Sequence, residues 1–330
     1  MSTILVLVES ADELPDRLSL EALELARRLQ GVIGGDVEAV LVGGDAAVAD
    51  GLGSYGVTTA HVAAGERLAA YAPAAWAAAV QTVMASVGPA AVVAPGSERA
   101  TEVLAHVAAR TGLPMAANVT DVTPGDRWKV IRQRWAGSLL EEAWLDGDPY
   151  LLTVAAHAIP AAEAAASAAT VSVARTEPAI ADADLRARVT GHVPSASDKV
   201  SLSDAKVVVG GGRGLGSAEA FAMLDELAGL LGGAVGVSRV ATSLGWRPHA
   251  QQVGQTGTRI APDLYIACGI SGAIQHIVGC KAAKRILVIN TDPEAPIFSR
   301  AAYAVVGDVH AVVPAITAEI RRVGGGASSA

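Results

Sequence analysis

Five apolar, strand-like runs in residues 205–330 each end in a polar or glycine-rich segment. In an open parallel sheet, ligands bind in the crevice outside the carboxyl ends of the strands. Five such ends with ligand-type chemistry predict one site that encloses a large, phosphate-bearing molecule. The segments are 210–214 (GGGRG), Ser238-Arg239, 269–272 (GISG), Asn290 and Asp308.

Strand and helix signals also alternate in the first half of the chain. Apolar runs at 4–8, 37–42, 57–62 and 90–94 alternate with helical patterns at 18–29, 73–87 and 98–110. This alternation predicts a parallel sheet with helices on both faces. The segments 130–136 and 150–155 are candidates for an antiparallel pair that extends the sheet.

A stretch rich in Ala, Ser and Asp separates the two halves. Residues 160–204 show little hydrophobic periodicity apart from 171–173, and the strand–helix rhythm resumes at 206. We predict an α/β fold with two domains, each built on a largely parallel sheet flanked by helices. The predicted boundaries are 1–190 for the first domain, 191–204 for a linker and 205–330 for a doubly wound second domain.

Composition and charge exclude several classes of function. Lys and Arg number 25 against 33 Asp and Glu, and no basic cluster stands out, so nucleic-acid binding is not expected. Cys268 and Cys280 form no CxxC pair and predict no metal or dithiol site. No apolar run has the length of a membrane span, and the first strand is too short for a secretory leader. We expect a soluble, cytoplasmic protein.

The glycine turn at 210–214 lies between a strand and a helix, the usual layout for binding phosphate on backbone N–H groups. It is not a P-loop, because Ser217 stands where that motif needs lysine. It also lacks the last glycine of the G-x-G-x-x-G dinucleotide fingerprint. Arg239, at the end of the next strand, is compatible with binding of an NADP 2′-phosphate, so a nicotinamide cofactor stays an alternative. The glycines alone are also compatible with a simple tight turn.

Three further segments supply candidate ligand groups, and each has a structural alternative. The loop 251–257 (QQVGQTG) can read the hydrogen-bonding edge of a planar ring or be an ordinary surface loop. Ser271 is a candidate N-cap for a helix that carries His276 on its second turn. A lone histidine is more often structural, and Asn290 and Asp308 are typical of turns or helix starts. Their common position at strand ends favours one shared site.

In this order, the segments resemble the alpha subunits of electron-transfer flavoproteins. The resemblance covers nearly all of residues 205–321, whereas the first half agrees only in its general βα character. Gly216 and Val309 depart from the family pattern, in place of a lysine and a leucine. The matching text is 211–215 (GGRGL), 234–239 (AVGVSR), 252–257 (QVGQTG), 262–276 (PDLYIACGISGAIQH) and 289–298 (INTDPEAPIF).

The resemblance implies FAD held mainly by the second domain and a heterodimer with a beta subunit, in which AMP is expected. The first domain then serves as scaffold and contacts the beta subunit. Three residues would tune the flavin ring: Arg239 over the ring, Thr256 near N5 and His276 near the N1–C2=O edge. The implied cofactor-binding residues are Arg213, Ser238, Arg239, Val253, Gly254, Gln255, Thr256, Ser271, Gly272, Ala273, Ile274, Gln275, His276, Asn290, Asp308 and Val309.

Within that set, the resemblance implies distinct roles along the cofactor. Arg213, Ser271 and the neighbours of Ser271 would bind the phosphates, and Asn290 and Asp308 would hold the adenosine end. A cation and a hydrogen-bond donor near N1–C2=O would favour the reduced, anionic flavin, which is how a protein tunes such a cofactor.

The implied function is that of an electron carrier rather than a substrate-converting enzyme. The chain would pass electrons from flavin dehydrogenases, such as the acyl-CoA dehydrogenases of fatty acid β-oxidation, to a membrane quinone oxidoreductase through flavin semiquinone, without inserting into the membrane itself. Two alternatives stay open on the residues: an FAD- or NADP-dependent oxidoreductase that acts on its own, and a non-redox nucleotide-binding scaffold.

Overall fold

The chain divides into two compact units, Met1–Val193 and Pro194–Ala330. A computed structural model describes residues 2–11, 14–43, 47–164, 170–191 and 200–326. Most of the predicted linker, residues 192–199, lies outside these ranges. Within them, each helix is too short or too polar to cross a membrane.

The first unit is a nine-stranded mixed sheet with helices, within the described residues. The strand order is β11-β5-β4-β1-β6-β10-β7-β8-β9, and a small hairpin, β2-β3, lies outside it. The strands are β1 (Thr3–Leu7), β2 (Ser10–Ala11), β3 (Leu14–Pro15), β4 (Asp36–Val42), β5 (Val57–Ala63), β6 (Ala91–Ala94), β7 (Met115–Thr123), β8 (Trp128–Arg134), β9 (Leu139–Leu145), β10 (Tyr150–Val154) and β11 (Ser172–Thr176). The helices are α1 (Arg17–Ile33), α2 (Ala47–Leu52), α3 (Pro73–Val87) and α4 (Glu98–Thr111).

Strand β1 shows why the strands of this sheet appear in the sequence as continuous apolar runs. Ile4 and Val6 belong to the hydrophobic core on one face of the sheet, and Leu5 and Leu7 belong to the core on the other. Because alternate side chains point to opposite faces, a strand covered on both sides must be apolar at every position.

Local sequence also explains where the long helices of the first unit begin. The carboxylate of Asp16 accepts a hydrogen bond of 2.7 Å from the N–H of Leu18 and caps α1. The Ser97 hydroxyl oxygen accepts a 3.0 Å bond from the N–H of Ala100 and caps α4. Helix α3 begins at Pro73, whose fixed φ suits the first helical position.

The predicted antiparallel pairing of 130–136 with 150–155 is wrong, although the sheet does have an antiparallel extension. Strand β8 pairs antiparallel with β7 and with β9. Strand β10 lies instead between β6 and β7 and is parallel to both. Strand β9 was not predicted, because its sequence (LLEEAWL) lacks a clean alternation of apolar and polar residues.

The second unit is a five-stranded parallel sheet with the order β13-β12-β14-β15-β16. The predicted α/β fold with parallel-dominated sheets is therefore confirmed. The order corresponds to 2-1-3-4-5, one of the two common doubly wound arrangements, in which the switch point lies between its first and third strands. The elements are β12 (Val207–Gly211), α5 (Ala222–Leu230), β13 (Ala234–Val237), α6 (Arg239–Ser243), β14 (Leu264–Cys268), α7 (Ile274–Cys280), β15 (Ile286–Asn290), β16 (Tyr303–Val306) and α8 (Val309–Gly326).

Two backbone segments touch at this switch point. The N–H of Gly212 donates to the carbonyl of Cys268 at 3.0 Å, and the N–H of Gly214 donates to the carbonyl of Gly269 at 3.0 Å. A Cβ added at Gly214 would lie 2.7 Å from the Cα of Gly269, closer than real Cβ contacts come. The glycines at the end of β12 therefore allow its exit loop to lie directly on the exit loop of β14.

Replacing Gly214 with alanine should destabilise the protein by about 1–3 kcal/mol, because the new methyl meets backbone atoms that cannot rotate away. Urea unfolding would measure the change. Gly229→Ala is the matched control, since Gly229 is exposed on α5 and has no atom within 4 Å of its Cβ position. That variant should be stabilised by about 0.5–1 kcal/mol. A Gly214→Ala protein as stable as the parent would contradict the close-contact interpretation.

Candidate functional site

A cavity of about 680 Å³ opens at the carboxyl ends of β12 to β15. Its position beside the switch point is where doubly wound sheets bind ligands. The walls come from the residues that follow four different strands. They are Arg213, Gly214, Ser238, Arg239, Val240, Ser243, Leu244, Gln252, Val253, Gly254, Gln255, Thr256, Gly269, Ile270, Ser271, Gly272, Ala273, Gln275, His276, Asn290, Asp292 and Ala295.

The cavity brings together the predicted cofactor-binding residues with three exceptions, Ile274, Asp308 and Val309. Ile274 is 70% exposed, and Val309 is packed in the hydrophobic core. The Asp308 carboxylate accepts a 2.9 Å hydrogen bond from the N–H of His310, at the start of α8. The contact of Asp308 with an adenosine group stays a prediction.

Asn290 lines the cavity, but its side chain is also part of the scaffold. The amide nitrogen donates to the carbonyl of Ile270 at 3.0 Å, and the amide oxygen accepts from the N–H of Asp292 at 3.1 Å. Asn290 therefore ties the exit loop of β15 to the exit loop of β14. The sequence indicated the local bond to Asp292, but not the bond to Ile270, which is distant along the chain.

The segment after β14 differs from its predicted form. Helix α7 begins at Ile274 after Ala273, so Ser271 is not its N-cap and His276 lies in the first turn. Gly272 has φ of +83°, and a Cβ there would lie 2.5 Å from the backbone nitrogen of Ile297. This left-handed glycine stops the helix from extending backwards, so residues 271–273 are not helical and line the cavity.

A buried glutamine organises the loop at 252–257. Gln252 is 2% exposed, and its amide nitrogen donates to the Thr256 hydroxyl oxygen at 2.9 Å. Its amide oxygen lies 2.7 Å from the hydroxyl of Thr242, on α6. The N–H of Gln255 donates to the carbonyl of Gln275 at 2.8 Å. These bonds bind the loop to α6 on one side and to α7 on the other.

His276 is buried, at 6% exposure, and its Nε2 lies 2.7 Å from the hydroxyl oxygen of Tyr265. Burial lowers the pKa of His276 to about 4, and the backbone of Val253, which favours the charged ring, does not offset this effect. Burial also raises the pKa of Tyr265 well above its usual value. Both side chains are therefore neutral near pH 7.

Two buried polar atoms at the cavity have no hydrogen-bond partner of standard geometry among the described residues. They are the Ser238 hydroxyl oxygen and the His276 Nδ1. A buried polar group without a partner costs about 1–3 kcal/mol, so such groups are expected where a ligand supplies the partner. The cavity also has two guanidinium groups, Arg213 and Arg239, in its lining.

Several lining residues escaped sequence reasoning. Val240 and Ser243 follow Arg239 on α6, and Leu244 is the C-cap of that helix; the helical spacing of these residues after β13 could have indicated them. Tyr265 contacts a cavity residue from within an apolar strand, and no local pattern distinguishes it from an ordinary core side chain.

Both halves of the chain match family models. Residues 201–281 match the electron transfer flavoprotein FAD-binding domain, and residues 4–179 match the electron transfer flavoprotein domain. The electron transfer flavoprotein subunit alpha of Mycobacterium leprae is 37% identical over 97% of this chain and 99% of its own length. The same subunit from Bacillus subtilis strain 168 is 35% identical over 97% of both chains. The chain belongs to the electron transfer flavoprotein alpha subunit family.

The cavity fits FAD, the cofactor that the matched FAD-binding domain of this family implies. The Arg213 guanidinium suits phosphates, Arg239 adds a second cation, and the Ser238 hydroxyl and His276 Nδ1 suit polar groups of a bound molecule. Residues 271–273 line the cavity. In this region, a side chain at Gly269 would collide with Gly214, and a side chain at Gly272 would collide with Ile297.

The low pKa of His276 predicts a specific pH dependence of stability. The folded-state pKa, about 4, lies below the unfolded value near 6.5. The unfolded chain therefore binds a proton first, and stability present above pH 6.5 is lost as the pH falls to about 4. The loss is at most about 3 kcal/mol, at about 1.4 kcal/mol per pKa unit.

Urea unfolding between pH 7 and pH 4 would measure this slope. His276→Asn should reduce it, and His310→Asn, which changes an exposed histidine of the same unit, should not. Equal slopes in the parent and the His276→Asn variant would contradict the assignment.

Proposed function

We propose that this chain is the alpha subunit of a heterodimeric electron carrier that binds FAD in the cavity of its second unit. It takes electrons from flavin dehydrogenases, such as acyl-CoA dehydrogenases, and passes them to a membrane quinone oxidoreductase in single-electron steps. The observation that supports this proposal most directly is the cavity at the switch point, which combines the family's residues with buried polar atoms that have no partner of standard geometry in the described part of the chain.

Under this proposal, each part of the cavity holds a different part of the cofactor. Arg213 and the backbone of 271–273 bind the phosphates. Ser238 and Gln255 bind around the dinucleotide, and Asn290 and Asp308 hold the adenosine end. FAD, when bound, supplies the electron transfer itself, and the chain's own residues bind it, orient it and set its surroundings.

The cavity offers the ring one cation and two hydrogen-bonding side chains. Arg239 is exposed at the start of α6 and contributes a permanent positive charge. His276 is held neutral by burial, so it contributes a hydrogen bond rather than a charge. The Thr256 hydroxyl is oriented by Gln252 at 2.9 Å. A cation and hydrogen-bond donors beside the ring favour its negatively charged reduced form.

We also propose that the first unit contacts the beta subunit, which holds AMP, and that the heterodimer works in the cytoplasm. Cys268 and Cys280 are free thiols, as expected in a reducing compartment. A candidate contact surface is the hairpin patch, defined as Trp135, Leu139, Leu140 and Trp144 at the β8–β9 edge. Its residues are 56–78% exposed. Leu139 and Leu140 point to opposite faces of β9, so both faces of this edge expose apolar surface, as at protein interfaces.

The complex of this chain with its beta-type subunit should contain one FAD, measured by absorption spectroscopy and by chromatography of the released nucleotides. AMP in the same extract would support its place in the beta subunit. Arg213→Ala should lose most of its FAD on purification, because charge-assisted phosphate contacts are strong. Arg285→Ala, which removes an exposed arginine outside the cavity, should retain it. A colourless complex, or one that binds only a nicotinamide nucleotide, would refute the proposal.

Arg239→Ala should lower the reduction potential of the bound flavin, because it removes a cation that stabilises the reduced form. The shift should be roughly 40 mV for each kcal/mol of charge stabilisation lost in a one-electron step. Potentiometric titration with spectral detection would measure it. Arg239→Lys retains the charge and should shift the potential less. Equal potentials in the parent and Arg239→Ala would exclude this role for Arg239.

Leu140→Arg should weaken the heterodimer, because it places a charge within the hairpin patch. We expect an increase in the dissociation constant of at least about tenfold, since a charge buried without a partner costs more than 1.4 kcal/mol. Val32→Arg, at a 68% exposed position of α1, is the control. Analytical ultracentrifugation at several concentrations would compare the two, and an equal effect of both would remove the hairpin patch from the interface.

A further inference from the structure

Tyr265 and His276 form an isolated hydrogen-bonded pair behind the cavity. The Tyr265 ring is fully buried, and its hydroxyl lies 2.7 Å from Nε2 of His276. Within the described residues, the Tyr265 side chain makes no second hydrogen bond of standard geometry. The hydrophobic side chains packed in the same core include Val208, Val253 and Ile260, together with the thiol of Cys280, a weak hydrogen-bonding group.

The direction of this hydrogen bond follows from counting donors. A hydroxyl has one proton, and a neutral imidazole has one N–H and one acceptor nitrogen. If Nε2 donated to Tyr265, the hydroxyl proton would have no acceptor of standard geometry among the described residues, at a cost of about 1–3 kcal/mol. If the hydroxyl donates to Nε2, its proton is satisfied and the ring must carry its own proton on Nδ1.

The second direction also explains the unpartnered atom at the cavity. The Nδ1 of His276 is buried and has no partner of standard geometry among the described residues, and His276 lines the cavity. With the proton on Nδ1, this N–H is a donor at the cavity wall, and the nearby backbone of Val253 does not satisfy it with standard hydrogen-bond geometry. A bound molecule with an acceptor at that position would satisfy it.

We propose that Tyr265 is a positioning residue that holds His276 in the Nδ1-protonated tautomer, so that the ring presents an N–H donor to an acceptor group of FAD. The inference rests on the proposed function for the identity of the acceptor. The tautomer itself is a property of the chain and does not depend on it.

The strand next to Tyr265 is shaped for this hydroxyl. A Cβ at Gly210, on β12, would lie 2.2 Å from the Tyr265 hydroxyl oxygen and 2.5 Å from a ring carbon. Gly210 pairs with Ala267 in the sheet, two residues from Tyr265 on the same strand. A glycine inside a strand has no side chain to pack against its neighbours. At Gly210, the space left by the missing side chain accommodates the end of the Tyr265 ring and the hydroxyl that reaches His276.

Nitrogen-15 NMR of the heterodimer labelled in histidine would identify the tautomer, because protonated and unprotonated ring nitrogens have well-separated shifts. The signals of His276 are assigned by their loss in His276→Asn. We expect Nδ1 protonated and Nε2 unprotonated in the parent at pH 7, and a mixture of tautomers or the opposite one in Tyr265→Phe. Protonated Nε2 in the parent, or an unchanged Nδ1 tautomer in Tyr265→Phe, would overturn the proposal.

A double-mutant cycle on FAD affinity tests whether Tyr265 acts through His276. Tyr265→Phe should raise the dissociation constant for FAD by about three- to tenfold, the worth of one hydrogen bond. In the His276→Asn background it should have no further effect, since an asparagine amide donates without a choice of tautomer. Tyr303→Phe, at an exposed tyrosine of the same unit, is the control for loss of a hydroxyl.

The two experiments separate failure of this inference from failure of the proposed function. Equal losses of affinity from Tyr265→Phe in both backgrounds would indicate a packing effect and overturn the positioning role. Thermal unfolding of each variant checks that the chain is folded. If the heterodimer bound no FAD, the proposed function and the donor role toward FAD would both fail, whereas the NMR result would still decide the tautomer.

Discussion

The contact between two exit loops at the switch point is the constraint on which the cavity depends. Gly212 and Gly214 donate to the carbonyls of Cys268 and Gly269, and the two loops are so close that a side chain at Gly212, Gly214 or Gly269 would collide with the opposite loop. Arg213 lies between these two anchored residues, and Ser271 follows directly after the other loop. The backbone contact therefore determines the separation of the two walls, and the lining side chains take their positions from it.

The polar groups of the cavity fall into two classes with different energetic roles. The side-chain oxygen and nitrogen of Gln252 and of Asn290 each bond to the protein, Gln252 to its own loop and to α6, and Asn290 to two loops, so they hold the walls in place. Ser238 and His276 each retain a buried atom without a partner of standard geometry among the residues that the structure describes. Those atoms reduce the stability of the folded chain by the cost of desolvation. A bound ligand that provides hydrogen-bond partners for these atoms removes that cost. The unsatisfied atoms therefore lower the stability of the ligand-free chain and raise its affinity for the ligand.

The success of sequence reasoning varied with the range of the interaction concerned. The strand ends after β12 to β15 were predicted because apolar runs and the polar residues that follow them are adjacent in sequence. The predicted helix at Ser271 failed because a left-handed glycine, Gly272, interrupts it for a reason that lies in Ile297. The pairing of β8 and β10 failed because strand neighbours depend on the order of the whole sheet, in which β10 inserts between β6 and β7.

By itself, the sequence determined that the chain is an α/β protein with parallel sheets, which family it belongs to, and which residue types gather at one sheet edge. Periodicity and local motifs carry that information, because they depend on neighbours along the chain. Only the tertiary structure decided the partners within the site. The hydroxyl of Tyr265, on β14, meets His276, on α7, and the space for it is left by Gly210 on the adjacent strand. The proposed direction of that hydrogen bond follows from the lack, among the described residues, of another acceptor of standard geometry for the proton, and a core is assembled from side chains that are distant in sequence.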